Sequence, residues 1–413
     1  MKIKLAIIGS LLTFTLVIVP RAMSQWVQTN GPYAQCFATI GTKLFIGSAS
    51  DGVFVSDDTG TSWTQTNLDM TFDHVYIVTL AVQGKNLFAG SSRSVTSKDG
   101  SGGSVLLSTD YGANWQNTSV GLSGSVWSIL ANGPDLFAGT DSGLFLSNDL
   151  GSRWTSLNGL KQRPVYSIAI IGSNIFTATD TGIFMSPDYG NHWSLSYRNK
   201  TRSGGTFALI DNELFIGNHD GVLRTSDNGQ NWVYAQNGFA DSAYINSFES
   251  YGKNLFAATA YRGVYLTTNL GNSWKPINEG FQPISNGWIS SHGIKVFGGR
   301  IFASNLGGLW TRPVSELPLS VSNRIESVIK LISFPNPFTK STSIEFSTSD
   351  HSSAQVSIRN LLGSEVARLF TGPLDAGEHT FTWDAHGIST GMYICVIHTN
   401  GRTEQLPILL LKK

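Results

Sequence analysis

Residues 147–154 read Ser-Asn-Asp-Leu-Gly-Ser-Arg-Trp, and this stretch decides the fold because its spacing, S-x-D-x-G-x-x-W, recurs along the chain. Short Ser and Asp side chains accept hydrogen bonds from the backbone N–H groups of a tight turn, and Gly supplies a positive φ. The Trp begins the return strand and provides a large apolar side chain for packing. The pattern therefore predicts one β-hairpin turn used six times, with Thr or Asn as occasional replacements. The six copies are Ser56, Asp58, Gly60, Trp63; Ser108, Asp110, Gly112, Trp115; Ser147, Asp149, Gly151, Trp154; Ser186, Asp188, Gly190, Trp193; Thr225, Asp227, Gly229, Trp232; and Thr267, Asn269, Gly271, Trp274.

A second repeat, an aliphatic residue followed by Phe, lies upstream of each turn. It is preceded by one apolar strand and followed by another that begins with Gly, which makes four short strands in roughly 40 residues, the period of a β-propeller blade. Seven such pairs predict seven blades in an all-β protein. The pairs are Leu44-Phe45, Leu87-Phe88, Leu136-Phe137, Ile175-Phe176, Leu214-Phe215, Leu255-Phe256 and Ile301-Phe302.

The seventh blade lacks its own last strand, because Gly308 to Thr311 runs into Pro313 without a turn of the repeated type. The missing strand is found at the other end of the chain, where residues 26–30 (Trp-Val-Gln-Thr-Asn) match residues 63–67 (Trp-Thr-Gln-Thr-Asn). We therefore expect residues 25–30 to close blade seven, and the propeller to span residues 25–313. Closure removes the exposed strand edges that an open array would leave.

The six turns resemble the Asp-box, or bacterial neuraminidase repeat, of sialidase-like β-propellers. The repeat pattern also resembles the photosystem II stability and assembly factor family of seven-bladed proteins. The first resemblance implies a fold and leaves the activity open, and the second implies a binding role. The Asp or Asn and Trp residues of the turns are accordingly expected to be structural.

The two ends of the chain are predicted to direct export. Residues 1–24 have Lys2 and Lys4, an apolar stretch and an Ala-Met-Ser cleavage site, as in a signal peptide. Residues 314–330 read as a linker, and residues 331–413 as a β-sandwich of about seven strands.

The last segment closely resembles the type A C-terminal sorting domain of the type IX (Por) secretion system. The resemblance rests on Phe334-Pro335-Asn336-Pro337, Leu362-Gly363, Gly391-Met392-Tyr393 and the final Lys412-Lys413. It implies that residues 331–413 are read by an outer-membrane translocon of a Gram-negative cell. The protein is then secreted or held at the outer cell surface, after Sec-dependent export to the periplasm.

Composition excludes several classes of protein. The 28 basic and 28 acidic residues balance, which argues against nucleic-acid binding. No apolar run beyond the signal peptide is long enough to cross a bilayer. The two cysteines, Cys36 and Cys395, lie far apart and are expected to be unpaired, and no His or Cys spacing indicates a metal site. We expect a monomer without cofactor or metal.

Two enzymatic interpretations need to be weighed. A sialidase requires an Arg triad and a Tyr–Glu pair, yet no Arg precedes the first blade within Gln25 to Gln35. Only three glutamates lie securely inside the propeller. One of them, Glu213, is a turn residue that is expected to be solvated. A glycoside hydrolase similar to the xyloglucan-active propellers requires two acids about 5–10 Å apart. Asp51, Asp141, Asp180 and Asp220 precede the third strands and provide candidates, although their recurrence also fits turn chemistry. No catalytic residue is therefore assigned.

The face opposite the repeated turns is the predicted binding face, because its loops break the repeat. Aromatic and basic side chains together suit an acidic glycan or a protein carboxylate. The sequence thus predicts a binding or adhesion module for a glycan or a protein ligand. The alternatives are a secreted polysaccharide-active glycoside hydrolase or lyase with acids on this face, and a structural surface-layer component. The candidate residues are Tyr33, Trp127, Tyr166, Tyr244, Tyr261 and Trp288, with Lys161, Arg163, Arg198, Lys200 and Arg202.

Overall fold

The structure is a computed structural model, and it describes residues 25–48, 50–68, 76–92, 102–200, 204–210, 212–219, 221–239, 244–283, 288–319, 331–348, 352–360, 363–375, 377–399 and 402–411. The predicted signal peptide at 1–24 lies outside these residues. So do His74, Arg202, Asp220 and the greater part of the predicted linker.

Seven four-stranded antiparallel sheets form a seven-bladed β-propeller, as the repeats predict. Blades one to six are β2–β5, β6–β9, β10–β13, β14–β17, β18–β21 and β22–β25, and blade seven is β26–β28 with β1. The strands are β1 (Val27–Gln28), β2 (Cys36–Ile40), β3 (Lys43–Gly47), β4 (Val53–Ser56), β5 (Thr64–Gln65), β6 (Ile77–Gln83), β7 (Asn86–Ser91), β8 (Ser104–Ser108), β9 (Gln116–Asn117), β10 (Val126–Asn132), β11 (Asp135–Thr140), β12 (Gly143–Ser147), β13 (Thr155–Ser156), β14 (Val165–Ile171), β15 (Asn174–Thr179), β16 (Gly182–Ser186), β17 (Ser194–Arg198), β18 (Gly205–Ile210), β19 (Glu213–Asn218), β20 (Gly221–Thr225), β21 (Val233–Tyr234), β22 (Ile245–Tyr251), β23 (Asn254–Thr259), β24 (Gly263–Thr267), β25 (Lys275–Pro276), β26 (Ile294–Phe297), β27 (Arg300–Asn305) and β28 (Gly308–Pro313).

The N-terminal strand supplies the outer strand of blade seven. In the β1–β28 pair, Val27 lies opposite Thr311 and Gln28 opposite Trp310. Trp26 is buried in the same apolar cluster as Trp310. The first strands of successive blades also contact each other around the ring, including β26 and β2, so the propeller closes.

The core lies between blades, and the second strand of each blade contributes most to it. The Phe of every aliphatic-Phe pair is fully buried, from Phe45 in blade one to Phe302 in blade seven. Burying an aromatic side chain is among the largest single contributions to a hydrophobic core. The repeated pair therefore marks the packing between blades.

The repeated turns use both polar side chains of the motif, as blade three shows. The Ser147 hydroxyl donates to Asp149 Oδ1 (2.7 Å) and accepts the Gly151 N–H (2.9 Å). Asp149 Oδ1 also accepts the Arg153 N–H (2.9 Å), and these bonds hold the pKa of the carboxyl below its usual value. Leu150, before the Gly, has a φ of 57°, and a residue with positive φ occupies the same place in the other five turns.

The Trp of each turn packs less uniformly than the sequence predicts. Trp154 and Trp274 are buried, whereas Trp63, Trp115, Trp193 and Trp232 are half-buried. Trp154 donates its indole N–H to the Thr118 carbonyl of the preceding blade (2.7 Å). The Trp of the turn therefore mainly links neighbouring blades.

The propeller extends beyond the predicted boundary at Pro313. Residues 314–316 form a short 3₁₀ helix, Val314–Glu316, and Val314 and Leu317 are buried in the same cluster as Trp26. Residues 314–319, assigned to the linker from the sequence, therefore pack against blade seven because they cover the seam where the ring closes.

The C-terminal part is a sandwich of seven strands, as predicted. One sheet has the order β29-β30-β33 and the other β32-β31-β34-β35. Its core contains Trp383, Ile344, Ile358 and Cys395, which is unpaired, as is Cys36 in blade one. No helix among the described residues has both the length and the apolar character that crossing a membrane requires. The strands are β29 (Leu331–Phe334), β30 (Ser341–Thr348), β31 (Ser352–Asn360), β32 (Glu365–Leu374), β33 (Gly377–Asp384), β34 (Gly391–Thr399) and β35 (Arg402–Leu410).

Candidate functional site

The face opposite the repeated turns carries the loops that enter each first strand and the turns between second and third strands. Five aromatic side chains stand there around the mouth of the central channel, and we call them the aromatic collar. None is fully buried. The collar consists of Trp127, Tyr166, Tyr244, Tyr261 and Trp288.

β-Bulges aim two members of the collar. The register of the first strand against the second shifts between Val126 and Ser128 in blade three and between Val165 and Ser167 in blade four. The extra residues are Trp127 and Tyr166. A bulge bends the strand and redirects one side chain. The same shift occurs in blades two and six, at Val78 and Asn246, so the bulge belongs to the repeated blade and the aromatic residues at it distinguish blades three and four. The sequence does not indicate these bulges, because both segments read as ordinary apolar strands.

Trp127 and Tyr166 form the first aromatic pair, with ring centroids 6.0 Å apart. The Trp127 indole N–H donates to Asp141 Oδ1 (2.7 Å), and Asp141 Oδ2 accepts the Ser125 N–H (3.2 Å). Burial raises the pKa of Tyr166, and the charges of Asp180 and Asp141 raise it further. Two carboxylates therefore lie around this pair, and one of them fixes the Trp127 ring.

Tyr261 and Trp288 form the second pair, with centroids 4.8 Å apart and ring planes at 63°. The two side chains are 50% and 47% exposed, so their rings are accessible from solvent. The Tyr244 ring lies at a tilt of 51° against the His219 ring (centroids 4.0 Å apart), and the pKa of Tyr244 is raised by burial and then by Tyr261. Members of the collar are thus found between blade three and the start of blade seven.

Two further aromatic residues lie on this face outside the collar. Tyr33 packs edge-on against His292 (5.5 Å), and burial raises its pKa to about 12. Tyr76, which is 37% exposed, was not predicted from the sequence. It immediately precedes the first strand of blade two, as Tyr244 does in blade six, and aligning the blades at that strand would have identified it.

The predicted basic residues lie outside the collar, toward the rim of blades four and five. Arg163 donates to Thr181 Oγ1 (3.3 Å), with its guanidinium 5.1 Å from the Phe184 ring. Arg198 was predicted in a loop, but it ends the strand β17, opposite Gly182. β17 has five residues where the other outer strands have two, and this places Arg198 in the strand.

The other two predicted basic residues that the structure describes are Lys161 and Lys200, and both are exposed. Lys200 lies 4.7 Å from the ring of Tyr234, on the outer strand of blade five, rather than beside the collar. The structure thus gathers the aromatics around the channel and leaves the cations at the periphery.

Three glutamates make ion pairs in the described part of the propeller, and one of them is Glu279 with Arg312 (3.2 Å). Glu213, expected to be solvated, is half-buried and pairs with Arg224 (3.3 Å). Glu249 on β22 pairs with Lys295 on β26 (3.0 Å) and accepts the Val296 N–H (3.0 Å). Burial raises the pKa of Glu249, with Lys295 opposing the shift. The Glu249–Lys295 pair was not predicted, because its members are 46 residues apart and in different blades.

A cavity of about 290 Å³ lies between the first strands of blades three, four and five, toward the end of the channel away from the collar. No group of three or more His, Cys, Asp or Glu side chains in the described ranges is placed to hold a metal ion. The cavity is lined by Leu130, Ala131, Asn132, Ile168, Ala169, Ile170, Phe207, Ala208 and Leu209.

Comparison with known families identifies the C-terminal segment. Residues 333–409 match the model of the secretion system C-terminal sorting domain. The chain is therefore exported to the periplasm and is then secreted or placed at the outer surface, and the type IX secretion machinery handles this second step. A comparison with curated proteins finds no match.

Comparison with solved structures shows the propeller fold. A structure of YCF48 bound to D1 peptide has a TM-score of 0.54 at 14% identity, covering 73% of this chain and 98% of that one. The GH74 enzyme of Niastella koreensis has a TM-score of 0.55 at 13% identity, covering 94% and 75%. The extracellular domain of a putative hybrid two component system from B. thetaiotaomicron has a TM-score of 0.57 at 12% identity, covering 94% and 57%. At such low identity these similarities establish the fold alone.

Proposed function

We propose that this exported propeller is a binding or adhesion module that takes a glycan on its aromatic collar. The main observation in its favour is the Trp127–Tyr166 pair, in which the Trp127 indole is hydrogen-bonded to Asp141. Aromatic faces pack against the apolar C–H faces of sugar rings, and carboxylates accept hydrogen bonds from sugar hydroxyls. Ligand sites generally combine apolar walls with a few fixed polar groups in this way.

A protein ligand is the competing candidate for the same face. It draws support from the similar propeller of YCF48, which was solved with a bound D1 peptide, and from the basic residues at the rim. The collar favours a glycan because its polar partners near the channel are carboxylates, whereas Arg163 is directed toward Thr181 and Phe184.

The test is a glycan array probed with the purified mature chain, beside the variant Trp127→Ala/Tyr166→Ala. We expect specific glycan signals that the double variant loses. Tyr234→Ala is the matched control, since Tyr234 is 43% exposed but lies on the outer rim, and this variant should bind normally. An array without signal, or a double variant that binds like the wild type, would contradict the proposal.

A glycoside hydrolase is the second candidate, because Asp141 and Asp180 both lie near the Tyr166 ring. Two acids about 5–10 Å apart are the requirement for glycoside hydrolysis. Reducing-sugar release from the glycans that bind, measured with wild type, Asp141→Asn and Asp180→Asn, separates the two functions. Release that either variant abolishes without loss of binding identifies an enzyme.

A further inference from the structure

We propose that the collar binds an internal segment of a polysaccharide chain laid across the channel mouth, rather than a terminal sugar. This inference rests on the proposed function, namely that the ligand is a glycan, and it adds the form that the glycan takes.

The first step is the position of the two aromatic pairs. Trp127 and Tyr166 lie at the start of the first strands of blades three and four, whereas Tyr261 and Trp288 lie in the loops of blade six and at the entry to blade seven. In one direction around the ring only blade five lies between the pairs, and in the other direction blades one and two do, so the pairs stand well apart around the mouth. One sugar ring covers about one aromatic ring. A ligand that contacts both pairs must therefore contain several linked sugars.

The second step is the residue between the pairs. Tyr244 enters blade six, and its carbonyl oxygen accepts the N–H of Ala260 (2.9 Å), in the turn that carries Tyr261. The His219 ring, in the corresponding turn of blade five, lies at a tilt against the Tyr244 ring, with centroids 4.0 Å apart. Aromatic rings thus extend from the second pair into blade five, which suits a chain more than a single sugar.

The third step is rigidity. Asp141 holds the Trp127 ring by a hydrogen bond, and Gly204 leaves room for the Tyr166 ring, because a Cβ at position 204 would overlap it. Binding platforms that are fixed before the ligand arrives lose less entropy on binding. A pre-formed, open and elongated surface is the arrangement that an extended polymer requires.

The experiment is calorimetric titration of the full mature chain with oligosaccharides of one to eight sugars, prepared from xylan, laminarin, xyloglucan and alginate and from any other polymer that the array identifies. We expect Kd to fall by about a hundredfold between the shortest and longest oligosaccharides. This is the lower end of the affinity gain expected when separate contacts are linked in one ligand. Tyr261→Ala/Trp288→Ala and Trp127→Ala/Tyr166→Ala should each remove this gain and leave weak binding of short oligosaccharides.

Binding that is equal for one and eight sugars, or a length dependence that survives loss of either pair, overturns the inference while leaving glycan binding intact. Absence of binding to every polymer overturns the proposed function itself, and this inference with it. Tyr261 and Trp288 are exposed, so their double variant is expected to fold, and an unchanged Tm verifies this. Tyr234→Ala should retain the full length dependence.

Discussion

The indole N–H of Trp26 donates to the carbonyl oxygen of Ile277, at 2.5 Å and across 251 residues of chain. The backbone N–H of Trp26 also donates to the Glu279 carbonyl (2.8 Å). The Trp26 ring packs on Phe281, with centroids 4.4 Å apart, and lies 5.9 Å from the guanidinium of the buried Arg312. The first aromatic residue of the propeller is thereby fixed to blades six and seven at the same time.

Ring closure gives the first prediction. Trp26→Ala should lower the free energy of unfolding by about 3–5 kcal/mol, as for other large-to-small changes in a packed core. Urea denaturation measures the effect. Val27→Ala is the control, because Val27 is 59% exposed in the same strand and should change stability little. Equal stability of both variants would mean that the N-terminal strand does not hold the ring closed.

The sequence predicts the blades well because each blade repeats the same local rules. The turn motif, the aliphatic-Phe pair and the match between Trp26 and Trp63 all depend on short-range spacing. The Glu249–Lys295 pair depends on tertiary context instead, and the spacing of residues does not encode it. The bulge in the first strands recurs in four blades, but it is a property of the pairing between strands and is not visible in the alternation of residues. The collar residues were identified because they interrupt the repeat, whereas their pairing required the structure.

The Glu249–Lys295 pair gives the second prediction. The pKa of Glu249 is raised in the folded state, so the ionised carboxylate weakens folding, and stability falls as the pH rises above the unfolded value of about 4.3. Glu249→Gln keeps an oxygen for the Val296 N–H. Its Tm should equal or exceed that of the wild type at pH 7, and the difference should vanish below about pH 4.

Glu249→Ala separates the hydrogen bond from the charge. It leaves the Val296 N–H without this acceptor and should lower the unfolding free energy by about 1–3 kcal/mol. If Glu249→Gln were as unstable as Glu249→Ala at pH 7, the attraction to Lys295 would outweigh the burial of the carboxylate.

The repeated turns give the third prediction, which concerns acid. Hydrogen bonds from Asn231 and Thr225 lower the pKa of Asp227 to about 2. Because the folded value lies below the unfolded value of about 3.9, the carboxylate stabilises the fold above that pH, and the effect is lost as the pH falls toward 2. Asp227→Asn should fold, since Asn269 makes the equivalent bonds in blade six. Its Tm should lie below that of the wild type at pH 6 and converge with it near pH 2, as scanning calorimetry can measure.

Export gives the fourth prediction. Removing residues 331–413 should leave a folded propeller in the periplasm, because the predicted signal peptide remains while the domain that directs passage across the outer membrane is gone. Cell fractionation followed by immunoblotting measures the distribution. As a control, the same segment fused to a foreign periplasmic protein should carry that protein out of the cell. Equal extracellular recovery with and without the segment would disprove its role.

The basic rim gives the last prediction. Arg163 and Arg198 are exposed, and the sequence places Arg202 in the same region. Reversing all three charges, as Arg163→Glu/Arg198→Glu/Arg202→Glu, should weaken an anionic glycan or peptide far more than a neutral oligosaccharide. The loss should shrink at high salt, because exposed charges are screened over about 10 Å at 0.1 M. The Tm should remain unchanged, since no buried contact is removed. Calorimetric titration with a charged and a neutral glycan decides the matter: equal losses for both would place the cations in the general binding surface, and no loss for either would show that the collar acts without them.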